Sequence, residues 1–259
     1  MAGTFQDVGD FDIAVALGVV KNTNGNPYQS FEKFGHNPTM GTAPEALRSF
    51  GGSFTWLQAA SAFRIAPGGN AADAAGGIGA QTIQITGLDK NGLLASETLK
   101  TNGVAASTVT VGTYIRIFDA KVIECGIYGA GNIGTIQIQD SNLDIHLEID
   151  RLENVAHSMT FSTPVDHTAF LEGAVLQVES GKDVDFLVFA RPGLMNVTDP
   201  FTPPLLLRQF SAVPQGIHSL PFTNPRVLPP GSDFFILANS VQAAAAGGGL
   251  IEYKLVPNK

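Results

Sequence analysis

From about residue 76 to 140, polar and apolar side chains trade places at every second position, a period that suits a strand and not a helix. Gln81-Thr82-Ile83-Gln84-Ile85-Thr86 shows it first. Asp89-Lys90-Asn91-Gly92 follows as turn chemistry, because Asn-Gly tolerates the positive φ of a tight hairpin. Glu97-Thr98-Leu99-Lys100-Thr101 reads as the return strand and Asn102-Gly103 as a second turn. Thr108–Val111, Tyr114–Phe118 and Lys121–Cys125 continue the series. Strands at roughly 8–12-residue spacing with turns between them predict a sandwich or a barrel.

The pattern persists to the C-terminus. Asp144, His146, Glu148 and Asp150 alternate with Ile145, Leu147 and Ile149, which predicts an acidic, solvated face opposite an apolar one. Ser158–Ser162 and Thr168–Val178 read as strands, and Ser180-Gly181-Lys182-Asp183 as a turn into Val184–Ala190. A last pair, Asp233–Ala238 and Gly249–Leu255, is joined by a low-complexity loop from Gln242 to Gly248. Prolines from Pro192 to Pro230 forbid both continuous helix and central strand, so 192–231 is expected to be an extended connection over the sandwich or an arm reaching a partner.

Residues 1–70 lack this regularity. Gly/Asn/Pro punctuation (Asn22–Pro27, Gly35–Pro38) separates scattered aromatics, including Phe5, Phe11, Phe31, Phe34 and Trp56, and one short helix is expected from Pro44 to Phe50. The expectation is therefore an all-β chain, β-sandwich or jelly-roll-like. It comprises an irregular N-terminal arm (1–70), a first β module (71–140) and a second (141–259) containing the Pro-rich connection 192–231. The arm is expected to be separable from a folded core. Thr82-Ile83-Gln84-Ile85 recurs as Thr135-Ile136-Gln137-Ile138, each preceded by Ile-Gly. Either a duplicated hairpin unit or convergence on a good strand sequence accounts for it.

Composition narrows the function. With 44% apolar residues the chain can bury a sizeable core, and its 15% charged residues fall below the usual figure of about 25%. A net charge of −8 without Lys/Arg clusters argues against nucleic acid as a partner. The N-terminus lacks the basic and apolar regions of a secretion signal, and Ile13–Val20 is far shorter than the ~20 residues of a membrane span. The parsimonious expectation is a soluble protein made in a reducing cytoplasm, with no membrane partner.

Catalytic and cofactor motifs are missing. The five histidines have no helical i, i+4 partner, and the single Cys125 sits in a strand pattern with no neighbouring histidine. Strand neighbours two apart lie roughly 6–7 Å from one another, too wide for Asp144, His146, Glu148 and Asp150 to converge on one ion. The Gly-rich run Gly68–Gly79 lacks the Gly-Lys-Ser/Thr ending of a phosphate loop and reads as a linker. No enzymatic activity, cofactor or metal is expected. A low-charge, turn-rich β chain with aromatic segments suits docking to other copies of itself, and Phe31, Phe34 and Trp56 are the candidate anchors.

An ordered series of segments resembles virion structural proteins of tailed bacteriophages of the marine and cyanophage type. The matching pieces are Lys33-Phe34-Gly35-His36-Asn37, Gly79–Ile83 running into Gly87–Gly92, Ser96–Leu99 before Asn102-Gly103, and Tyr114–Ile117. Asn132–Ile136, His157-Ser158-Met159 and Thr168–Leu171 complete it over roughly residues 30–175. The chain departs from that pattern at Pro164-Val165-Asp166-His167, where such proteins often carry a Pro-Ala-Gly turn. The resemblance implies a non-enzymatic virion component assembled in the host cytoplasm, with the major capsid protein or tail/neck proteins as partners. Its first placement is a capsid decoration or cement protein. A tail/neck or fibre-associated component and a carbohydrate- or receptor-binding module are the alternatives.

Overall fold

The computed structural model describes residues 14–15, 19–21, 25, 27–179, 182–242 and 244–258. Phe5, Phe11, Asn22-Thr23-Asn24, Asn26, Ser180-Gly181 and Ala243 lie outside them. Among the described residues the regular elements are fifteen strands, and the chain is all-β. β1 (Gln29–Met40) and β2 (Glu45–Ala46) come first. The middle holds β3 (Arg64–Ile65), β4 (Ala80–Asp89), β5 (Leu94–Lys100), β6 (Tyr114–Cys125), β7 (Ile136–Gln139) and β8 (Ile145–Ile149). Then follow β9 (Thr160–Ser162), β10 (His167–Val178), β11 (Val184–Arg191), β12 (Leu205–Val213), β13 (Gly216–Leu228), β14 (Asp233–Ser240) and β15 (Ala245–Pro257).

The two ends of the chain build one sandwich. One antiparallel sheet runs β1-β15-β10-β13, and the other runs β12-β11-β14-β2 with β9 also on β14. Val184, Phe186, Val188 and Ala190 alternate inward along β11, the burial that a sheet with one wet face produces. Between the layers the Phe161 ring stacks on Tyr253 with centroids 4.0 Å apart and meets Phe234 at 5.1 Å.

The middle of the chain forms two three-stranded sheets, β5-β4-β6 and β3-β7-β8. Their buried side chains join those of the sandwich in one contiguous core. The repeated Thr-Ile-Gln-Ile segments fall on β4 and β7, and each is the central strand of its sheet. Asp73, 3% exposed, ties the two together. Its carboxylate accepts the backbone N–H groups of Ala80, Ile133 and Gly134 at 2.8–3.1 Å, so one buried anion organises the entry to both strands. Gly79 is needed beside it, because a Cβ there would lie 2.1 Å from Asp73 Oδ1.

Five expectations are corrected. The irregular arm over 1–70 fails at Gln29–Met40, which pairs along its length with β15 and is integral to the sandwich, so it is not separable from the core. The boundary at 140 falls between β7 and β8, which pair with each other and belong with the middle strands. The short helix from Pro44 is replaced by β2 and a turn. Glu45 accepts from the Gly41 and Gly52 N–H groups and Ala46 pairs with Leu237, tertiary bonds that outweigh a short local helix preference. The Pro-rich 192–231 stretch contains β12 and β13, and both lie at sheet edges, where a missing N–H costs no ladder bond. Part of the expected Gln242–Gly248 loop is likewise strand: Gly247 and Gly248 let β15 sit tightly between β10 and β1, where a Cβ would meet Gln177 O at 2.7 Å and Gly35 O at 2.6 Å.

Asp73→Ala leaves buried N–H groups at the start of two sheets without an acceptor. The expected loss is about 2–4 kcal/mol of unfolding free energy, read by urea denaturation. A loss within ~0.5 kcal/mol would remove Asp73 from this role.

Candidate interaction surface

The most heavily bonded polar group in the described chain is structural. Asp233 opens β14 with a fully buried side chain. Arg116 of β6 grips it bidentately, Nε on Oδ1 at 3.0 Å and Nη2 on Oδ2 at 3.1 Å. Arg191 of β11 donates to Oδ2 through Nε at 3.0 Å and through Nη2, and Ser162 Oγ donates to Oδ1 at 2.7 Å. Arg116 Nη1 donates to the Leu57 and Ile115 carbonyls, and the Trp56 ring lies 5.0 and 4.5 Å from the two guanidinium carbons. Burial pulls Arg116 below its usual pKa, and Asp233 opposes that shift. Every oxygen of Asp233 is held by a donor, so this cluster fastens the middle strands to the sandwich and offers no reacting atom.

The alternating acidic stretch is only partly solvated. Asp144 is exposed, but Glu148 is 9% exposed and accepts from Gln137 Nε2 at 2.6 Å. The His146 ring packs edge-on against Phe63 with centroids 5.1 Å apart, and its Nε2 is 3.4 Å from Asp140. Burial lowers the His146 pKa, with Asp140 and Asp144 opposing and Arg48 assisting, while burial raises that of Glu148. Among the described residues no three His, Cys, Asp or Glu side chains group as metal ligands. Cys125 ends β6 half-buried, and burial and the Asp73 charge push its thiol up, away from the thiolate form. No helix in the described residues is long and apolar enough to cross a membrane.

The structure does not bring the three expected anchors together. Phe31 stacks on Tyr253 at 5.4 Å within the sandwich, and Trp56 is occupied by Arg116, Arg191 and Phe235. Phe34 is 38% exposed and sits edge-on to His157, leaving it the most accessible of the three.

A larger surface lies where sequence reading placed an extended connection or an arm reaching a partner. β12 and β13 are the terminal strands of the two sandwich sheets, joined by a turn at Pro214-Gln215, and among the described residues each has a strand partner on one side only. Leu205, Leu206, Ile217 and Val227 are 50–73% exposed along them. The register of β13 against β10 jumps from Arg226↔Leu171 to Pro221↔Gly173, so residues 222–225 bulge out between two prolines. The bulge opens a groove of about 340 Å³ between the two edges. Leu171, Val188, Leu207 and Phe222 line it, with Arg208 and Arg226 beside them. The Arg208 guanidinium lies 5.6 and 5.8 Å from the Phe210 and Phe222 ring centres. The two prolines bracketing Phe222–Asn224 were the available signal, because paired prolines inside an otherwise β-rich run mark an edge strand with a bulge.

No protein-family model and no curated protein matches the chain. Among solved structures it is similar to infectious bursal disease virus, Gx strain, at a TM-score of 0.27 and 9% identity over 90% of this chain and 72% of that one. The VP2 subviral particle of that virus gives 0.24 and 11%, over 97% and 78%. T=1 particles derived from it give 0.26 and 9%, over 89% and 70%. Likenesses this shallow do not place the chain in a family.

Asp233→Asn removes the charge that both arginines face and is expected to cost about 3–5 kcal/mol in urea denaturation, with Arg116→Met/Asp233→Leu recovering part of the loss. Acidification tests His146. Its folded pKa lies below the unfolded value of about 6.5, so its contribution is complete above that pH and is lost as the pH falls through the depressed folded value. Glu148, shifted upward, has the opposite sign: its contribution is full below its unfolded pKa and is lost as the pH rises through the raised folded one. The melting temperature should fall as the pH drops below about 6.5, and fall less in His146→Phe.

Proposed function

We propose that this chain is a non-enzymatic virion structural protein, and that it serves as a decoration or cement subunit on a phage head, bound to copies of itself and to the major capsid protein. The observation that carries this reading is the pair of one-sided strands β12 and β13 with exposed leucine, isoleucine and valine side chains along them. Exposed strand edges template pairing with another chain, and proteins that act alone usually blunt them. Repeated over a lattice, contacts of modest size reach avidity that none has singly. The ordered segments shared with tailed-phage virion proteins support the same reading from sequence. The titratable clusters agree with it, since Asp233, Asp73 and Arg116 are spent on holding sheets together. Phe34 is the remaining aromatic candidate for an anchor.

Copy number in purified particles tests the placement. On the order of hundreds per particle is the expected result for a shell protein, whereas about six or twelve would move the chain to the tail or neck. Leu206→Lys and Ile217→Lys, both at exposed positions, should melt within ~0.5 kcal/mol of the unaltered protein yet be depleted at least tenfold from particles. Normal incorporation of both would exclude β12 and β13 as the docking edges.

A further inference from the structure

We infer that the small cavity walled by Trp56 and Arg191 is a binding site for a single carboxylate group. The inference goes beyond the docking reading and does not rest on β12 or β13. It starts from a charge imbalance. Arg116 and Arg191 both grip Asp233, and the three side chains are 8%, 20% and 0% exposed, so a sheltered cluster holds one positive charge in excess. Sheltered charge is stable only when a counter-charge or donors and acceptors replace its water. The Trp56 face shares the excess without supplying a negative charge.

A cavity of about 110 Å³ adjoins this cluster, with Trp56, Arg116 and Arg191 among its walls. No aspartate or glutamate lines it. Asp199, on the 193–202 loop that supplies part of the wall, is exposed and lies outside the lining. Donors are available there. Arg191 commits Nε and Nη2 to Asp233 Oδ2, and its Nη1 has no acceptor among the described residues. The Gln58 amide and the Thr202 hydroxyl, on the same walls, make no hydrogen bond among the described residues either. A Cβ at Gly193, where φ is +78°, would stand 3.2 Å from that hydroxyl, so glycine there keeps it uncrowded.

One negative charge matches an excess of one. A phosphate dianion would leave the site over-neutralised, and a neutral amide would leave it uncompensated. A guanidinium N–H, a hydroxyl and an amide are the donors that a carboxylate, which only accepts, can use. Buried Leu194 and Phe201, 51% exposed, complete an apolar wall that suits a short carbon stem. The volume lies below the ~300 Å³ of sites that enclose whole ligands, so the cavity takes an end group. That end group belongs either to a free small acid or to an aspartate or glutamate side chain of another protein.

Trp56 is the only tryptophan in the sequence, so its indole ¹H–¹⁵N resonance is a reporter inside the site. Titrating the full chain with propionate at constant ionic strength is expected to shift that resonance saturably, with a Kd on the order of millimolar. Propionamide and phosphate should bind at least tenfold more weakly. Gln58→Leu/Thr202→Val removes two donors without touching Asp233. It should weaken propionate at least tenfold while leaving the urea midpoint in place. N-acetylglutamate amide separates the two sources. Tighter binding than propionate marks a protein side chain, weaker binding marks a free acid, and both sustain the inference. A shift that stays linear to about 100 mM, that propionamide or phosphate reproduces equally, or that survives in the double variant overturns it. The comparison of ligands on the unaltered chain decides the matter even where the variant fails to fold. Isolated protein is used throughout, so a failure here is independent of copy number in particles.

Discussion

A carboxylate stripped of all its water is stable only when donors replace the lost hydration, and Asp233 meets that condition with two guanidinium groups and a hydroxyl. The donors come from separate parts of the chain: Arg116 from the middle strands, Ser162 and Arg191 from the sandwich. A buried ion pair contributes little net stability against an apolar substitute, but a misplaced one is costly. The cluster therefore fixes the orientation of the inserted strands more than it strengthens the fold. The excess positive charge of two arginines on one carboxylate is shared with the face of Trp56. That is why this tryptophan, the only one in the sequence, is committed inside the chain.

A second link repeats the same design. Lys33 of β1 is buried and directs its ammonium at the Phe118 carbonyl, with Asp119 at 3.6 Å; burial lowers its pKa and Asp119 opposes the shift. Lys33 reaches β6 from β1 and Arg116 reaches from β6 to Asp233 of β14, so the longest strand of the middle sheets is held against the sandwich at two points. Asp73 does the corresponding work within the middle sheets.

Strand content was legible wherever one face of a strand is wet. β4, β5, β10 and β11 follow the alternation read from Gln81–Thr86, Glu97–Thr101, Thr168–Val178 and Val184–Ala190 because burial on one side only forces a period of two. β1 was not legible, since Phe34-Gly35-His36-Asn37-Pro38 has turn composition and its pairing depends on β15, more than 200 residues away. Thr108–Val111 has strand composition but lies outside any named strand, held to Phe63 through the Thr110 hydroxyl and amide. At the candidate surface, sequence alone recognised that prolines exclude a central strand. It could not separate an edge strand from a connection, because that difference is set by which neighbours are present.

The two flanks of the sandwich differ, and the difference locates the surface. On the β1 flank the outer edge is partly covered: Ser158 N–H donates to the Phe34 carbonyl at 3.0 Å, and β2 and β9 both pair with β14. Lys33 then carries the middle strands across that side. On the opposite flank β12 and β13 end their sheets, with the 222–225 bulge parting them and leucine, isoleucine and valine exposed beside it. A bulge and prolines ordinarily protect an edge from indiscriminate pairing by twisting it away. Here they also leave a concavity beside Arg226 and beside Arg208, whose guanidinium faces the Phe210 and Phe222 rings. Protection against random strand addition and the shape of this exposed surface thus arise from the same local departure from a regular ladder.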